Sequence, residues 1–153
     1  MTVVQAGLSD TAAAGKLYLD ARFHNHSPTM VARENATATA TEITVVSLDD
    51  EAARLGIERI DLMKIDVKGY EPKVLAGAKR ILNEGRIGAI LCEFNEHGLC
   101  KAGFSRRHLE NILRDAGFVD LWITTMPEVR LTTVSFDLLA PSTRTLPSSG
   151  AAE

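Results

Sequence analysis

Two apolar runs, residues 60–67 and 87–94, each place a carboxylate at or near their end, and one amphipathic stretch separates them. A parallel strand–helix–strand unit satisfies that pattern; an all-helical or all-antiparallel chain does not. The run Ile60-Asp61-Leu62-Met63-Lys64-Ile65-Asp66-Val67 is apolar on both faces, as suits a central strand of a parallel sheet. Val74, Leu75, Ala78, Ile81 and Leu82 then share one face at helical spacing, so a single helix is expected, ended by Gly85. Residues 87–94 form the second buried strand, interrupted by Gly88.

The flanking segments extend the same alternation. Residues 3–8 read as a short buried strand stopping at Ser9-Asp10, and residues 16–19 as a second short apolar stretch after an Ala-rich turn. Residues 24–41 carry little core material and read as a long loop, a length that is uncommon unless the loop is functional. Ile43, Val45 and Val46 suggest a strand. A helix over residues 50–55 follows, capped by Ser47 or Asp49 and ended by Gly56. The acidic residues Asp49, Asp50 and Glu51 suit the positive end of that helix dipole. A further helix is expected over residues 106–116, with Ser105 as its cap and Gly117 as its stop. Residues 119–125 and 132–139 read as an antiparallel hairpin through Met126-Pro127-Glu128, and the tail from residue 141 as disordered. The expected organisation is one α/β domain over residues 1–140.

Composition excludes several classes. The chain has 153 residues, 45% hydrophobic, and carries 17 basic against 20 acidic side chains, a net charge of −3. A nucleic-acid partner bound through its phosphates calls for a basic excess, which is missing. No apolar stretch reaches the roughly 18 residues of a membrane span. Residues 1–6 lack a basic leader, and two cysteines, Cys92 and Cys100, make no disulfide framework. These features predict a cytoplasmic protein without membrane or nucleic-acid partners.

Ligands of open parallel sheets bind outside the carboxyl ends of the strands. That rule selects Ser9-Asp10, Asp66 through Glu71, and Glu93 through His97. Asp66 and Glu93 together are not explained by helix capping, since one helix does not require both. Glu71 has two readings, a partner of the helix dipole or a substrate contact. His97 is either a general base on the rim or a loop histidine. His24 and His26 alternate in a weak metal-ligand pattern but have no companion ligand nearby, so no metal site is expected. Cys92 reads as a core residue.

The segment Lys64-Ile65-Asp66-Val67-Lys68-Gly69-Tyr70-Glu71, followed by Val74-Leu75-Ala76-Gly77-Ala78, resembles the signature of FkbM-type S-adenosylmethionine-dependent methyltransferases. Ala6-Gly7-Leu8-Ser9-Asp10 is similar to the end of that family's third strand, and Val45-Val46-Ser47-Leu48-Asp49 to the lead into its fourth. Glu93-Phe94-Asn95 and the stretch through Phe118 resemble the fifth strand and its following helix. The likeness spans residues 3–125. It implies a Rossmann-like class I methyltransferase sheet, S-adenosylmethionine as cofactor, and methyl transfer to a hydroxyl of a sugar or natural product. It further implies Asp66 and Glu93 as catalytic groups and Ser9, Asp10 and Asp66 on the cofactor side. Glu71, Asn95 and His97 would face a small-molecule or carbohydrate acceptor.

Two departures stand out. The family's pattern has an acidic residue where this chain has Lys68, which either alters the neighbouring Asp66 or points to solvent. No Gly-x-Gly pair occurs anywhere, and the closest glycines, Gly85 and Gly88, precede a strand. The chain is therefore expected to match the C-terminal two-thirds of such a domain, without its first two strands and glycine-rich cofactor loop. Either the chain is a truncated enzyme with weak cofactor affinity, or it is a non-catalytic module needing a partner chain. Those two strands would lie between residues 3–8 and residues 60–67, a slot of roughly 14 Å at the usual strand spacing. Closure of residues 3–8 onto residues 60–67 is expected for the monomer. Self-association through the exposed edge is the alternative.

Overall fold

Strand β4 (Ile60–Ile65) and strand β5 (Ile87–Phe94) pair in parallel, from Ile60 opposite Ile87 to Ile65 opposite Cys92. The computed structural model describes residues 1–20, 28–32, 38–125 and 135–141. Before β4 come β1 (Gly7–Leu8), β2 (Ala13–Asp20), β3 (Ala38–Val46) and helix α1 (Leu48–Leu55). Between β4 and β5 lie α2 (Glu71–Ala76) and α3 (Lys79–Asn83); after β5 come α4 (Glu96–Lys101), α5 (Arg106–Asp115), β6 (Phe118–Thr125) and β7 (Ser135–Pro141). His24, His26, residues 126–128 and the tail beyond residue 141 lie outside the described residues.

The strands form two sheets instead of one continuous Rossmann-like sheet. The first has the order β1-β3-β2 and the second β4-β5-β7-β6. In the second, β4 and β5 are parallel, while β7 runs antiparallel to both β5 and β6. The core lies between this sheet and the helices. Ile65, Ile87, Ile90, Cys92 and Phe94 from the strands meet Val74, Leu75, Ile81, Leu99, Leu109 and Leu113 from the helices. Each such aliphatic side chain removed from water contributes about 1.5–3 kcal/mol.

Local sequence explains the helix ends. Ser47 accepts from the Asp50 amide and Gly56 closes α1 in the left-handed region at φ 66°. Ser105 likewise accepts from the His108 amide to start α5. The single helix expected from residue 74 onward is broken in two. A Cβ at Gly77 would stand 1.9 Å from the Ser9 carbonyl oxygen, so backbone from the first sheet packs where a continuing helix would carry a side chain. The second piece gains its own cap: Asp49 accepts from the Arg80 amide at 2.7 Å and the Ile81 amide at 3.0 Å.

Other expectations are corrected. Residues 3–8 are not a buried strand: only Gly7 and Leu8 are extended in a ladder, and Val3 is 77% exposed. Residues 13–15, read as a turn, belong to β2, and residues 38–41, read as loop, begin β3 opposite it. Among the described residues, strand β4 lies at the edge of its sheet and not at the centre, and its Leu62 is 58% exposed. Closure does not occur either. β1 pairs with β3, Gly7 opposite Val45, and the Ser9 amide extends that ladder to the Val46 carbonyl at 2.9 Å. A cavity of about 460 Å³ remains between β1 and the end of β4. No helix among the described residues is long and apolar enough to cross a membrane.

Candidate active site

Because β4 and β5 are parallel neighbours, the residues at their carboxyl ends emerge side by side. Asp66 follows the last residue of β4, and Glu93 is the penultimate residue of β5. Between their carboxylates lies the ammonium of Lys68, 2.7 Å from Oδ1 of Asp66 and 2.8 and 2.9 Å from the two oxygens of Glu93. Lys64 stands farther off, 3.9 Å from Asp66. Asp66 keeps 33% of its side chain exposed and Glu93 only 8%. Asp66 and the adjoining Val67 also line the 460 Å³ cavity, beside Leu8, Thr29 and Met30.

The two carboxyls titrate differently. Burial alone would raise Asp66, but hydrogen bonds with Glu93 and Lys68 outweigh it and hold this carboxyl below the usual range. Burial and the adjacent Asp66 push Glu93 up, only partly offset by Lys68. Of the two, Asp66 therefore loses its proton first as pH rises, and Glu93 holds its own to higher pH. Burial acts to lower Lys68, yet its bonds to Asp66 and Glu93 prevail and raise it, so it stays charged.

The loop that aims Lys68 is built tightly. Lys68 and Gly69 both have positive φ, 56° and 105°. A Cβ at Gly69 would stand 2.2 Å from the Gly98 carbonyl carbon, and one at Gly98 would stand 2.3 Å from the Lys68 carbonyl oxygen. Two glycines thus let this loop and the start of α4 touch backbone to backbone. Glu71 closes the loop from beneath. It is fully buried, and its Oε1 accepts from the Gly69 amide at 3.0 Å. Its Oε2 has no hydrogen-bond partner among the described residues, and burial raises its pKa against the pull of nearby backbone amides. The side chain faces loop backbone and not the rim where an acceptor contact was expected.

Ser9 and Asp10 form a separate cluster. The Ser9 hydroxyl donates to Asp10 at 2.8 Å and lies 3.1 Å from the Tyr70 hydroxyl, while Lys73 pairs with Asp10 at 2.6 Å. These bonds tie the end of β1 to the first turn of α2. Asn95 caps α4, its side-chain oxygen accepting from the Gly98 amide at 2.8 Å, and His97 is exposed on that helix. Of the residues expected at the site, Asp66 and Glu93 converge; Ser9 and Asp10 join each other; Glu71 and Asn95 serve backbone. Tyr70 and Lys73 went unrecognised, although their three-residue spacing across the start of a helix puts both near one neighbour.

The cofactor that the family resemblance implies needs a backbone cradle. Gly7, the glycine lining the cavity, does not provide one. A Cβ there would meet Ile43 at 2.9 Å, so protein already fills that space. Among the described residues, the lining of this cavity therefore holds no glycine cradle for the cofactor's methionine end. Among them, no group of three or more His, Cys, Asp or Glu side chains gathers to hold a metal.

Comparison with curated proteins and with solved structures finds no match. The family model of the methyltransferase FkbM domain matches residues 2–119, which include β1 through α5, both clusters and the loop that carries Lys68. With that span covering most of the chain, this protein belongs to the FkbM methyltransferase domain family.

Proposed function

We propose that this chain carries the acceptor side of an S-adenosylmethionine-dependent methyl transfer to oxygen, on a sugar or natural-product hydroxyl. The observation that carries this reading is the convergence of Asp66 and Glu93 at the ends of adjacent parallel strands, in a chain of this family. A hydroxyl acceptor needs placement and a group to receive its proton. Asp66, ionised and partly exposed beside the cavity, accepts the hydroxyl's hydrogen bond and then its proton. Glu93 and Lys68 hold Asp66 in place. When bound, the cofactor supplies an electrophilic methyl group on a sulfonium. The parallel β4–β5 pair with helices between its strands supports a reading as the second half of a Rossmann-like class I sheet.

Calorimetric titration of the purified chain with S-adenosylmethionine tests the reading of an incomplete cofactor site. Weak binding is expected, and a low-micromolar dissociation constant would overturn it. Asp66→Asn tests the base: transfer to hydroxylated acceptors, followed by mass spectrometry, should fall about 10²–10⁴-fold. An unchanged rate would remove Asp66 from that role.

A second reading has its own support. β1 and β4 each leave one edge without a strand partner among the described residues, on either side of the cavity. A module that completes its sheet with a partner chain would show the same open edges.

A further inference from the structure

Lys68 is the only non-glycine residue with a positive φ among the described residues. That region suits glycine, and asparagine or aspartate next; a lysine held there at a charged site points to a use for its side chain. Its backbone is gripped from two sides. Gly98 packs against the Lys68 carbonyl, and the Thr29 hydroxyl lies 3.4 Å from the same oxygen. The side chain then runs to a point 2.7 Å from Asp66 and 2.8 and 2.9 Å from Glu93. Three oxygens from two carboxylates thus converge on one compact positive charge.

A hard divalent cation bound by this pair would occupy the same point, because it too requires converging carboxylate oxygens. Without a positive charge the two carboxylates repel, and one of them must keep a proton. We propose that Lys68 is a built-in counter-ion that takes the position a divalent cation would otherwise hold between Asp66 and Glu93. Lys68 is a positioning residue: it fixes the carboxylate pair and closes the site to metal. An acceptor at Asp66 is then bound through a single hydroxyl and needs no chelating pair of oxygens. That last statement rests on the methyl-transfer reading; the counter-ion role rests on the three side chains alone.

Titration of the full chain with Mn²⁺, read from the electron paramagnetic resonance of the free ion, tests the proposal without any activity measurement. Lys68→Gly removes the ammonium and accepts the local φ. It should take up one Mn²⁺ per chain, about tenfold or more tightly than the unaltered protein. Lys68→Arg, which keeps the charge, should stay as closed to Mn²⁺ as the unaltered protein. Adding Glu93→Gln to Lys68→Gly should abolish the gain. Equal Mn²⁺ binding by the unaltered protein and Lys68→Gly, or no gain in a folded Lys68→Gly, would overturn the proposal. If Lys68→Gly loses its fold, recovery of its circular dichroism on adding Mn²⁺ supports the role, and failure to recover overturns it. Absence of methyl transfer by the chain would leave these outcomes unaffected.

Discussion

At Glu71 a carboxyl sits at the first position of a helix, fully buried, with one oxygen on the Gly69 amide and the other without a hydrogen-bond partner among the described residues. Burial raises its pKa, so the folded chain keeps a proton there to higher pH than the unfolded chain does. The sign follows from linkage: this group's contribution to stability is largest in acid. It falls as pH rises from the unfolded carboxyl's range through the folded value. Glu71→Gln should flatten that part of the stability curve, measured as urea midpoints between about pH 4 and pH 8. A curve of unchanged shape would mean Glu71 is ionised throughout. Asp10 behaves oppositely. Its bonds to Lys73 and Ser9 lower its pKa, so its contribution is present above the unfolded value and lost as pH falls through the folded one. Lys73→Met should weaken the acid-side loss of stability, and only slightly, because both partners are about one-third exposed.

Among the elements, the β4–α2 loop and α4 depend on each other through Gly69 and Gly98. A methyl group at Gly98 would have to displace backbone, the Lys68 carbonyl, and not the flexible end of a side chain. Gly98→Ala should therefore cost about 2–4 kcal/mol, toward or above the upper end of ordinary overpacking. It should also pull Lys68 away from Glu93. Gly103 is the internal control. It has positive φ of 80°, but a Cβ at that position would meet nothing within 4 Å, so Gly103→Ala should carry only the smaller conformational cost. Urea denaturation of both variants checks the difference; equal losses would mean the loop has room to move.

For the whole molecule, the open edge of β4 dominates. Among the described residues its outer side has no strand partner beside Leu62, 58% exposed, with Asp61 and Lys64 as the charged neighbours along the strand. Exposed edges of this kind pair with other chains unless charge or proline protects them. The protein should associate as its concentration rises, and Leu62→Lys should reduce that association without unfolding the chain. Sedimentation velocity across a concentration series measures both. A monomer at every concentration would show that the flanking charges already protect the edge.

The parts of the fold whose causes are local are legible in the residues themselves. The caps Ser47 and Ser105, the stop at Gly56, the strands β4 and β5 and the convergence of Asp66 with Glu93 follow from residue type and periodicity. Neighbours far away in the chain decided the rest. The helix after Glu71 breaks at Gly77, where the Ser9 backbone packs at a distance that only glycine allows, and β1 joins β3, where the Ser9 amide extends the ladder. Burial converts Glu71 from a rim residue into a loop fastener, and Asn95 is taken up as a cap. Lys68 shows the division most clearly. Its charge beside Asp66 is plain in the sequence, but only the left-handed backbone, set by Gly98 packing against its carbonyl, turns that charge inward to Glu93.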